Sequence, residues 1–343
     1  MTDRGLTDID KESWGGSLAV KLIPLGIFLL LAIFYGFAVY WSQEPDSIAL
    51  NKDQAWQGNG QEKNLIVGYS TVQALINVSE TLLDKNGGFI SNDIMPPGVF
   101  QDNMPAWEYG VIVQIRDMAR SLRNDFSRSQ SQSTEQEDLK EAEPRFNVDR
   151  TSWAFPEPED EYRDGVDYLK AYQKKLASKE DTSSQFYARA DNLREWLKGV
   201  GKRLGNLSQR LSASVVEERV NTDLSGDSAA SQSTITGLSV RVKTPWMEID
   251  DVFYEARGSC WALINLLKAI EVDFKDVLDK KNATVSLQQI IRELEETQET
   301  VWSPLILNGS GFGTVANHSL VMASYIARAN AAIIDLRDLL SKG

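Results

Sequence analysis

The hydrophobic and polar positions divide the chain into one long uncharged segment and about 300 mostly polar residues that follow it. Residues 22–43 hold no charged side chain, are rich in Leu, Ile and Phe, and close on Tyr40 and Trp41. A helix rises ~1.5 Å per residue, so about 20 apolar residues cross a hydrocarbon layer of ~30 Å. Tyr and Trp favour the boundary of that layer. The pattern predicts a transmembrane helix over 22–43 that anchors the chain in a lipid bilayer.

Charged residues on either side of this segment predict its orientation. Arg4, Lys11 and Lys21 precede it, and Glu44 and Asp46 follow it. Because cations favour the cytoplasmic side of a membrane helix, we expect a single-pass protein of a bacterial inner membrane with its bulk in the periplasm. A cleaved signal peptide is the alternative, although the apolar run exceeds the usual core of about 7–15 residues and no Ala-x-Ala-like site follows it.

The predicted anchor sets the domain organisation of the chain. We expect a cytoplasmic tail over 1–21, the transmembrane helix over 22–43, a linker over 44–64 and a periplasmic helical domain over 65–343. The segment 44–64 is polar and contains two glycines, a composition typical of a linker.

Apolar residues recur every three or four positions through most of the predicted domain. The longest stripes lie at 186–211, 246–277 and 322–340. A sustained period of about 3.5 residues directs one apolar seam toward a partner helix, as in a coiled coil. The sequence therefore predicts an all-α fold, with the anchor followed by an elongated antiparallel helical bundle that has heptad-type seams.

Two features interrupt this helical pattern. Gly199, Gly201 and Gly205 lie inside one stripe, where each glycine costs the helix about 1 kcal/mol relative to alanine. Their presence predicts a bend or a close helix contact. Leu238–Val242 (LSVRV) alternates apolar and polar residues and predicts one short strand.

Several kinds of chemistry are excluded or disfavoured by composition. His318 is the only histidine and Cys260 the only cysteine, so a multi-histidine metal site is excluded and no metal or cofactor is predicted. Cys260 lies on an apolar stripe, which is typical of a buried inert thiol. The net charge of −13 argues against binding to nucleic acid. Gly309–Gly313 (GSGFG) lacks the preceding strand and Gly-Lys-Ser/Thr ending of a phosphate loop and predicts an ordinary turn.

The segment 92–110 has the composition of a binding loop. Three prolines stiffen it, and rigid loops between helices often carry binding sites. Asp102 and Asn103 can bond to the local backbone, while Trp107 and Tyr109 offer the aromatic surfaces that frequently anchor interfaces. We predict these four residues as a binding site. The alternative is a loop whose aromatic side chains plug the end of the bundle.

Glu108 is the only carboxylate in this segment that we consider for catalysis. Paired carboxylates cleave glycosidic bonds when one acts as an acid and the other as a base or nucleophile, so a cell-wall hydrolase is the alternative function. The other acidic clusters, at 157–161 and 293–299, fall on polar helical faces and are typical of solvated surface.

Two strings in the sequence resemble a known bacterial family. They are NGGFISNDIMPPGVFQDNMPAWEYGVIVQIRDMARSLRNDFSRSQSQS and, shortly after it, Asp149–Phe155 (DRTSWAF). Both resemble the family called domain of unknown function 2333, whose members have a similar size and an N-terminal hydrophobic segment. The resemblance implies a bacterial envelope location. It implies no activity, cofactor or catalytic residue.

Together these patterns predict a non-catalytic adaptor or scaffold that binds another cell-envelope component. Binding would use the 92–110 loop or an exposed seam. Because heptad seams can also close between chains, a homo-oligomer is an open alternative to a partner protein. A sensory role would need a membrane partner, since only about 20 residues lie on the predicted cytoplasmic side.

Overall fold

The computed structural model of the protein describes residues 13–48, 56–57, 64–128, 135–178, 184–215, 217–220, 239–303, 305–309 and 313–342. Within them the α-helices are α1 Ser13–Trp41, α2 Tyr69–Asp84, α3 Asn103–Ser121, α4 Glu137–Arg145, α5 Pro158–Ala177, α6 Ala190–Ser212, α7 Ile249–Asp273, α8 Lys275–Lys280, α9 Thr284–Glu295 and α10 His318–Ser341. The β-strands are β1 Trp56–Gln57, β2 Asn64–Leu65, β3 Glu217–Val220 and β4 Ser239–Val242. Helices dominate, so the predicted all-α class is confirmed.

The strands form two separate antiparallel pairs. Trp56 of β1 lies opposite Leu65 of β2, and Glu217 of β3 lies opposite Val242 of β4. The strand predicted over Leu238–Val242 is therefore present as β4. Isolated two-stranded pairs are marginal in water, so the helices carry the stability of the fold.

Helix α1 contains the predicted anchor. It begins at Ser13, earlier than the predicted 22–43, and ends at Trp41. The part from Leu22 to Trp41 has a mean hydropathy of 2.5, and none of it is buried against the protein. By length and composition it is a candidate membrane span, a test that a signal sequence also passes. Helix α10 meets the same criterion with a mean hydropathy of 1.2, but 39% of it is buried.

Helix α7 is the central helix of the domain. Every residue from Ala256 to Leu267 is buried, including the Cys260 thiol, whose pKa burial raises to about 12. A helix that is covered on all faces needs neighbours all around it, and α2, α3, α6 and α9 supply them. The single seam predicted over 246–277 is therefore wrong for this helix. The pattern also spans a break, because α7 ends at Asp273 and α8 follows.

Contacting residues give the directions of the helices around α7. In α9, Glu295 pairs with Lys268 and Gln288 donates a hydrogen bond to Glu271, so α7 and α9 run in opposite directions. Helix α3 instead runs in the same direction as α7. Trp107, near the start of α3, contacts Gly258, and Phe126, just beyond its end, packs on Phe274 with ring centroids 5.6 Å apart. The N-termini of α3 and α7 therefore lie at the same end of the domain.

Helices α3 and α7 approach each other through glycines. A Cβ atom on Gly110 would lie 2.1 Å from the carbonyl oxygen of Glu255, and one on Gly258 would lie 2.1 Å from that of Trp107. The predicted close contact at the α6 glycines is looser. Ideal Cβ atoms on Gly201 and Gly205 lie 3.2 and 3.5 Å from Asn330 of α10. Backbone contact at the α3–α7 crossing requires residues without a side chain.

Asp273 joins the end of α7 to the start of α2. Its Oδ2 accepts hydrogen bonds from the backbone N–H and the hydroxyl of Thr71, at 2.6 and 2.7 Å. The side chain is buried, and burial raises its pKa to about 6 despite these hydrogen bonds. Because the folded pKa exceeds the ordinary value, this group stabilises the fold most below about pH 4, and that contribution is lost as the pH rises through about 6.

Because Asp273 titrates in this range, the free energy of unfolding of the wild-type protein is expected to depend on pH. The variant Asp273→Asn removes this dependence. Relative to the variant, the wild-type free energy of unfolding is expected to fall by about 2–3 kcal/mol between about pH 4 and pH 7. Denaturant unfolding of the full chain in detergent at several pH values measures the difference. Asp276→Asn, on the exposed face of α8, is the control. A difference that does not change with pH would contradict the expected titration.

Candidate functional site at the end of helix α1

Residues 42–48, which we call the strap, follow α1 and lie against the helical domain. The Glu44 carboxylate accepts hydrogen bonds from Arg257 of α7, at 2.8 Å from Nε to Oε1 and 2.6 Å from Nη2 to Oε2. Arg257 is buried and also donates to the carbonyl oxygens of Thr297 and Glu299, at 3.0 and 2.9 Å. A charge-assisted bidentate pair of this kind fixes geometry as well as adding energy.

Two more hydrogen bonds continue the strap along α7. Trp261 Nε1 donates to the carbonyl oxygen of Asp46 at 3.1 Å, and the N–H of Ile48 donates to Asn265 Oδ1 at 3.2 Å. The α7 residues are spaced by four and the strap residues by two. Four helical residues rise about 6 Å and two extended residues about 6.6 Å, so the two segments stay in register. The first five residues of the predicted linker 44–64 are thus docked on the domain, and 49–55 and 58–63 lie outside the described residues.

The connection between α2 and α3 holds the last turn of α1. Gln101 Nε2 donates a hydrogen bond to the carbonyl oxygen of Ala38 at 3.1 Å. Gly87, which has a φ of +86°, lies against the Trp41 ring so closely that a Cβ would be 2.6 Å from Trp41 Cγ. The end of α1 is therefore fixed to the domain on two sides.

A cleft of about 980 Å³ lies between the strap, α7 and the segment 295–301. Its wall combines Tyr254, Ile264 and Val301 with polar groups that include Gln298 and Glu299. This volume lies at the upper end of the range of ligand pockets, about 300–1,000 Å³. The cleft begins directly beside the end of α1.

Glu108 is buried in the domain and fully occupied with hydrogen bonds. Its two oxygens accept bonds from the backbone N–H groups of Ile90 and Ser91, at 2.9 and 2.8 Å. Lys85 Nζ lies 2.7 Å from Oε1, and neither side chain reaches solvent. The carboxylate holds the segment after α2 onto α3, and no observation in the structure favours it as a catalytic acid.

The four predicted binding residues lie at or near the start of α3. Asp102 is exposed and caps the helix, accepting a hydrogen bond from the Asn103 N–H at 2.8 Å. Asn103 and Tyr109 are half-buried, with the Arg150 guanidinium 4.9 Å from the Tyr109 ring centroid. Trp107 has no exposed surface and packs in the core against a tryptophan of α7. Its ring is therefore not accessible to a partner. This is the arrangement expected under the alternative, in which the aromatic side chains of the loop plug the end of the bundle.

Comparison of the whole chain with models of protein families identifies the family to which it belongs. A family model described as "Uncharacterized protein conserved in bacteria (DUF2333)" matches residues 13–343. The chain belongs to this family. No curated protein and no solved structure matches it. Membership in DUF2333 confirms the resemblance drawn from the sequence, and it assigns no residue a role, so the geometry must carry any functional argument for this member.

The cleft of this DUF2333 member was not predicted from the sequence. Its strap spans the end of the predicted transmembrane helix and the first five residues of the predicted linker, and Arg257 lies in a stripe that is recognised by its apolar positions. A usable signal was present, because Arg257, Trp261 and Asn265 place hydrogen-bonding groups on one face of an apolar helix at steps of four. In the described part of the chain, no three His, Cys, Asp or Glu side chains come together as metal ligands. Residues 310–312 of the glycine-rich turn lie outside that part.

Removal of the Glu44–Arg257 pair is expected to change the structure locally, at the strap. Arg257→Ala leaves the Glu44 carboxylate without its buried partner, and we expect the strap to detach and the Ile48 amide to exchange with solvent at least about tenfold faster. Hydrogen exchange with mass spectrometry on the full chain measures this. Arg163→Ala, which removes an exposed pair with Asp84, is the matched control. Unchanged exchange at the strap in Arg257→Ala would show that this pair does not hold it.

Proposed function

We propose that the protein is a non-catalytic adaptor or scaffold of the bacterial cell envelope. In this proposal Leu22–Trp41 spans the inner membrane, the N-terminus is cytoplasmic and the helical domain is periplasmic. The cleft beside the strap binds another envelope component. The observation that carries the proposal is the clamp of the strap onto α7 through Arg257.

The clamp matters because it gives the domain a fixed connection to α1 in place of a flexible linker. A domain on a flexible linker samples many orientations relative to the membrane. Here four hydrogen-bonded positions, from Ala38 to Ile48, hold the end of the anchor on the domain. A fixed orientation suits a protein that presents one face to a partner in the same membrane.

The chemistry of the cleft favours a peptide segment over a small charged ligand. Tyr254 supplies half-buried aromatic surface, and Gln298 and Thr300 supply polar groups that match a peptide backbone. Such a mixture of aromatic and amide groups is typical of protein interfaces. The cleft also contains the carboxylate of Glu299, so a partner segment with Lys or Arg would complement it.

Site-specific photocrosslinking in living cells tests the proposed site. A photoreactive residue at Thr300 or Val301, both in the cleft wall, is expected to give a crosslink to one envelope protein identified by mass spectrometry. The same residue at Val285, exposed at the start of α9, is the control. Crosslinks to a second copy of the chain would indicate a homo-oligomer instead of a partner protein. Equal crosslinked products at all three positions would show that the cleft is not the binding site.

Thiol labelling tests the proposed orientation. Val285→Cys is expected to react with a membrane-impermeant maleimide in intact spheroplasts, because a periplasmic domain is open to the medium there. The native Cys260 is buried and its raised pKa keeps it protonated, so it does not interfere. Labelling that requires lysis of the spheroplasts would place the domain in the cytoplasm.

A further inference from the structure

Several large apolar side chains are exposed on the domain beyond α1. Phe155 is 94% exposed and Trp302 92%, values far above those of ordinary surface aromatics, which usually bury most of their area. Twelve of these side chains fall in four connections between helices: Ile94, Met95, Val99, Phe100, Trp153, Phe155, Trp246, Met247, Trp302, Leu305, Leu307 and Val315. The set includes every exposed aromatic side chain in the described part of the chain beyond α1.

Three of these connections contact one another, the strap or the end of α1. The α2–α3 connection donates the Gln101 hydrogen bond to Ala38. The segment before α5 touches the α2–α3 connection, because Asn92 Nδ2 donates to the carbonyl oxygen of Ser152 at 3.3 Å. The segment before α10 begins at the strap, where Arg257 binds the carbonyl oxygen of Glu299 and Val301 lines the cleft. These three connections therefore lie at the end of the domain that holds α1, which we call the anchor end.

The register of the strap places the fourth connection at the anchor end as well. The strap and α7 run in the same direction, since Glu44 meets Arg257 and Ile48 meets Asn265. Trp246 precedes Arg257 by 11 residues, or about 16 Å of helix. Glu44 follows Trp41 by only three residues, or at most about 10 Å of chain. Trp246 therefore lies at or beyond the level of Trp41, toward the membrane.

The opposite end of the domain is different. It contains the ends of α7 and α10, helix α8 and the start of α9, and the exposed large apolar side chains in or near it, among the described residues, are Val67, Val285 and Ile334. None of them is aromatic. Within the part of the chain that the structure describes, the exposed aromatic surface beyond α1 is thus confined to one end.

We propose that the anchor end of the domain inserts its exposed apolar side chains into the surface of the bilayer that α1 crosses. This proposal rests on α1 being a membrane span, as in the proposed function. Aromatic and aliphatic side chains from loops are favourable at the level of the lipid headgroups, where Trp and Phe bury apolar area. The bilayer is the occupant because the patch is continuous with the end of α1. Contact at Ala38, one turn inside the end of α1, brings the α2–α3 connection to that level.

Spin labels on the full chain in vesicles of phosphatidylethanolamine and phosphatidylglycerol test this proposal. Single variants Phe100→Cys and Trp302→Cys report on the anchor end. Leu30→Cys in α1 is the reference for the hydrocarbon layer, and Val285→Cys is the reference for water. The ratio of accessibility to oxygen over a water-soluble nickel chelate measures depth. At the anchor-end positions it is expected to lie severalfold above that of Val285→Cys and below that of Leu30→Cys.

The reference positions separate the possible failures. If the labels at 100 and 302 match the label at 285 while the label at 30 reports lipid, the anchor stands and the insertion of the anchor end is overturned. If the label at 30 also reports water, the anchor itself fails and the proposed function fails with it. Labels at 100 and 302 that are shielded from both oxygen and nickel would indicate protein contact and would likewise overturn insertion into lipid.

Discussion

Gly258→Ala is expected to lower the free energy of unfolding by at least about 3 kcal/mol, or to prevent folding altogether. A methyl group at this position would lie 2.1 Å from the carbonyl oxygen of Trp107 and 2.8 Å from its carbonyl carbon. Both atoms belong to the backbone of α3, so no side chain can rotate away to make room. The two helices would have to separate along a contact that is buried on both sides. Gly110→Ala is expected to behave in the same way, because its methyl group would meet Glu255 of α7.

Denaturant unfolding of the detergent-solubilised chain, followed by tryptophan fluorescence, measures this effect. Gly199→Ala is the control, because a Cβ on Gly199 has no other atom within 4 Å. It sits inside α6, where alanine is favoured over glycine by about 0.5–1 kcal/mol, so this variant is expected to be slightly stabilised. Wild-type stability in Gly258→Ala would mean that the α3–α7 contact is looser than the structure indicates.

Glu108→Ala is the second change with a large expected effect, a loss of about 3–5 kcal/mol. It leaves the Lys85 ammonium buried without its carboxylate, with a side chain that is 1% exposed. It also leaves the N–H groups of Ile90 and Ser91 without acceptors. An unpaired buried charge costs more than the pair contributes. The double variant Lys85→Met with Glu108→Leu is therefore expected to recover part of the loss.

The same unfolding assay compares these variants with an exposed pair. Glu195→Ala removes a surface partner of Lys198, and exposed pairs are worth about 0–1 kcal/mol. A loss in Glu108→Ala as small as that of Glu195→Ala would show that the buried pair is dispensable for folding. The result also bears on any hydrolase assay, since inactivity of a Glu108 variant has no catalytic meaning unless the variant is shown to be folded.

The helical class and the apolar N-terminal helix were predictable because both depend on local sequence, the class on apolar periodicity and the N-terminal helix on a continuous apolar run. The position of α10 was also predictable, since its apolar stripe from Met322 to Leu340 recurs in steps of three and four. The single seam predicted for α7 is wrong. A seam and a helix buried on all sides share the apolar positions of the stripe, and the residues between those positions, such as Gly258, Trp261 and Leu266, distinguish the two.

The candidate site was much less predictable than the fold. The segment 92–110 was noticed for its aromatic residues, yet Trp107 and Glu108 face the core, because the start of α3 is covered by α7 and by the segment after α2. The cleft depends on contacts between Glu44 and Arg257, which are 213 positions apart. Pairings over that distance leave no periodic trace in a single sequence. The sequence shows that the strap is polar, but polarity is common to a flexible linker and to a segment docked on the domain.

The strap joins α1, the proposed membrane helix, and α7, the central helix of the domain, into one lever. Helix α7 has 25 residues and is about 37 Å long, and the strap joins it to α1 without a free hinge over residues 41–48. Transmembrane helices adjust their tilt to the thickness of the bilayer. A change of about 10° in the tilt of α1 moves the far end of a 37 Å lever by about 6 Å. In the proposed membrane arrangement, the thickness of the surrounding lipid therefore sets how far the distal end of the domain leans over the membrane.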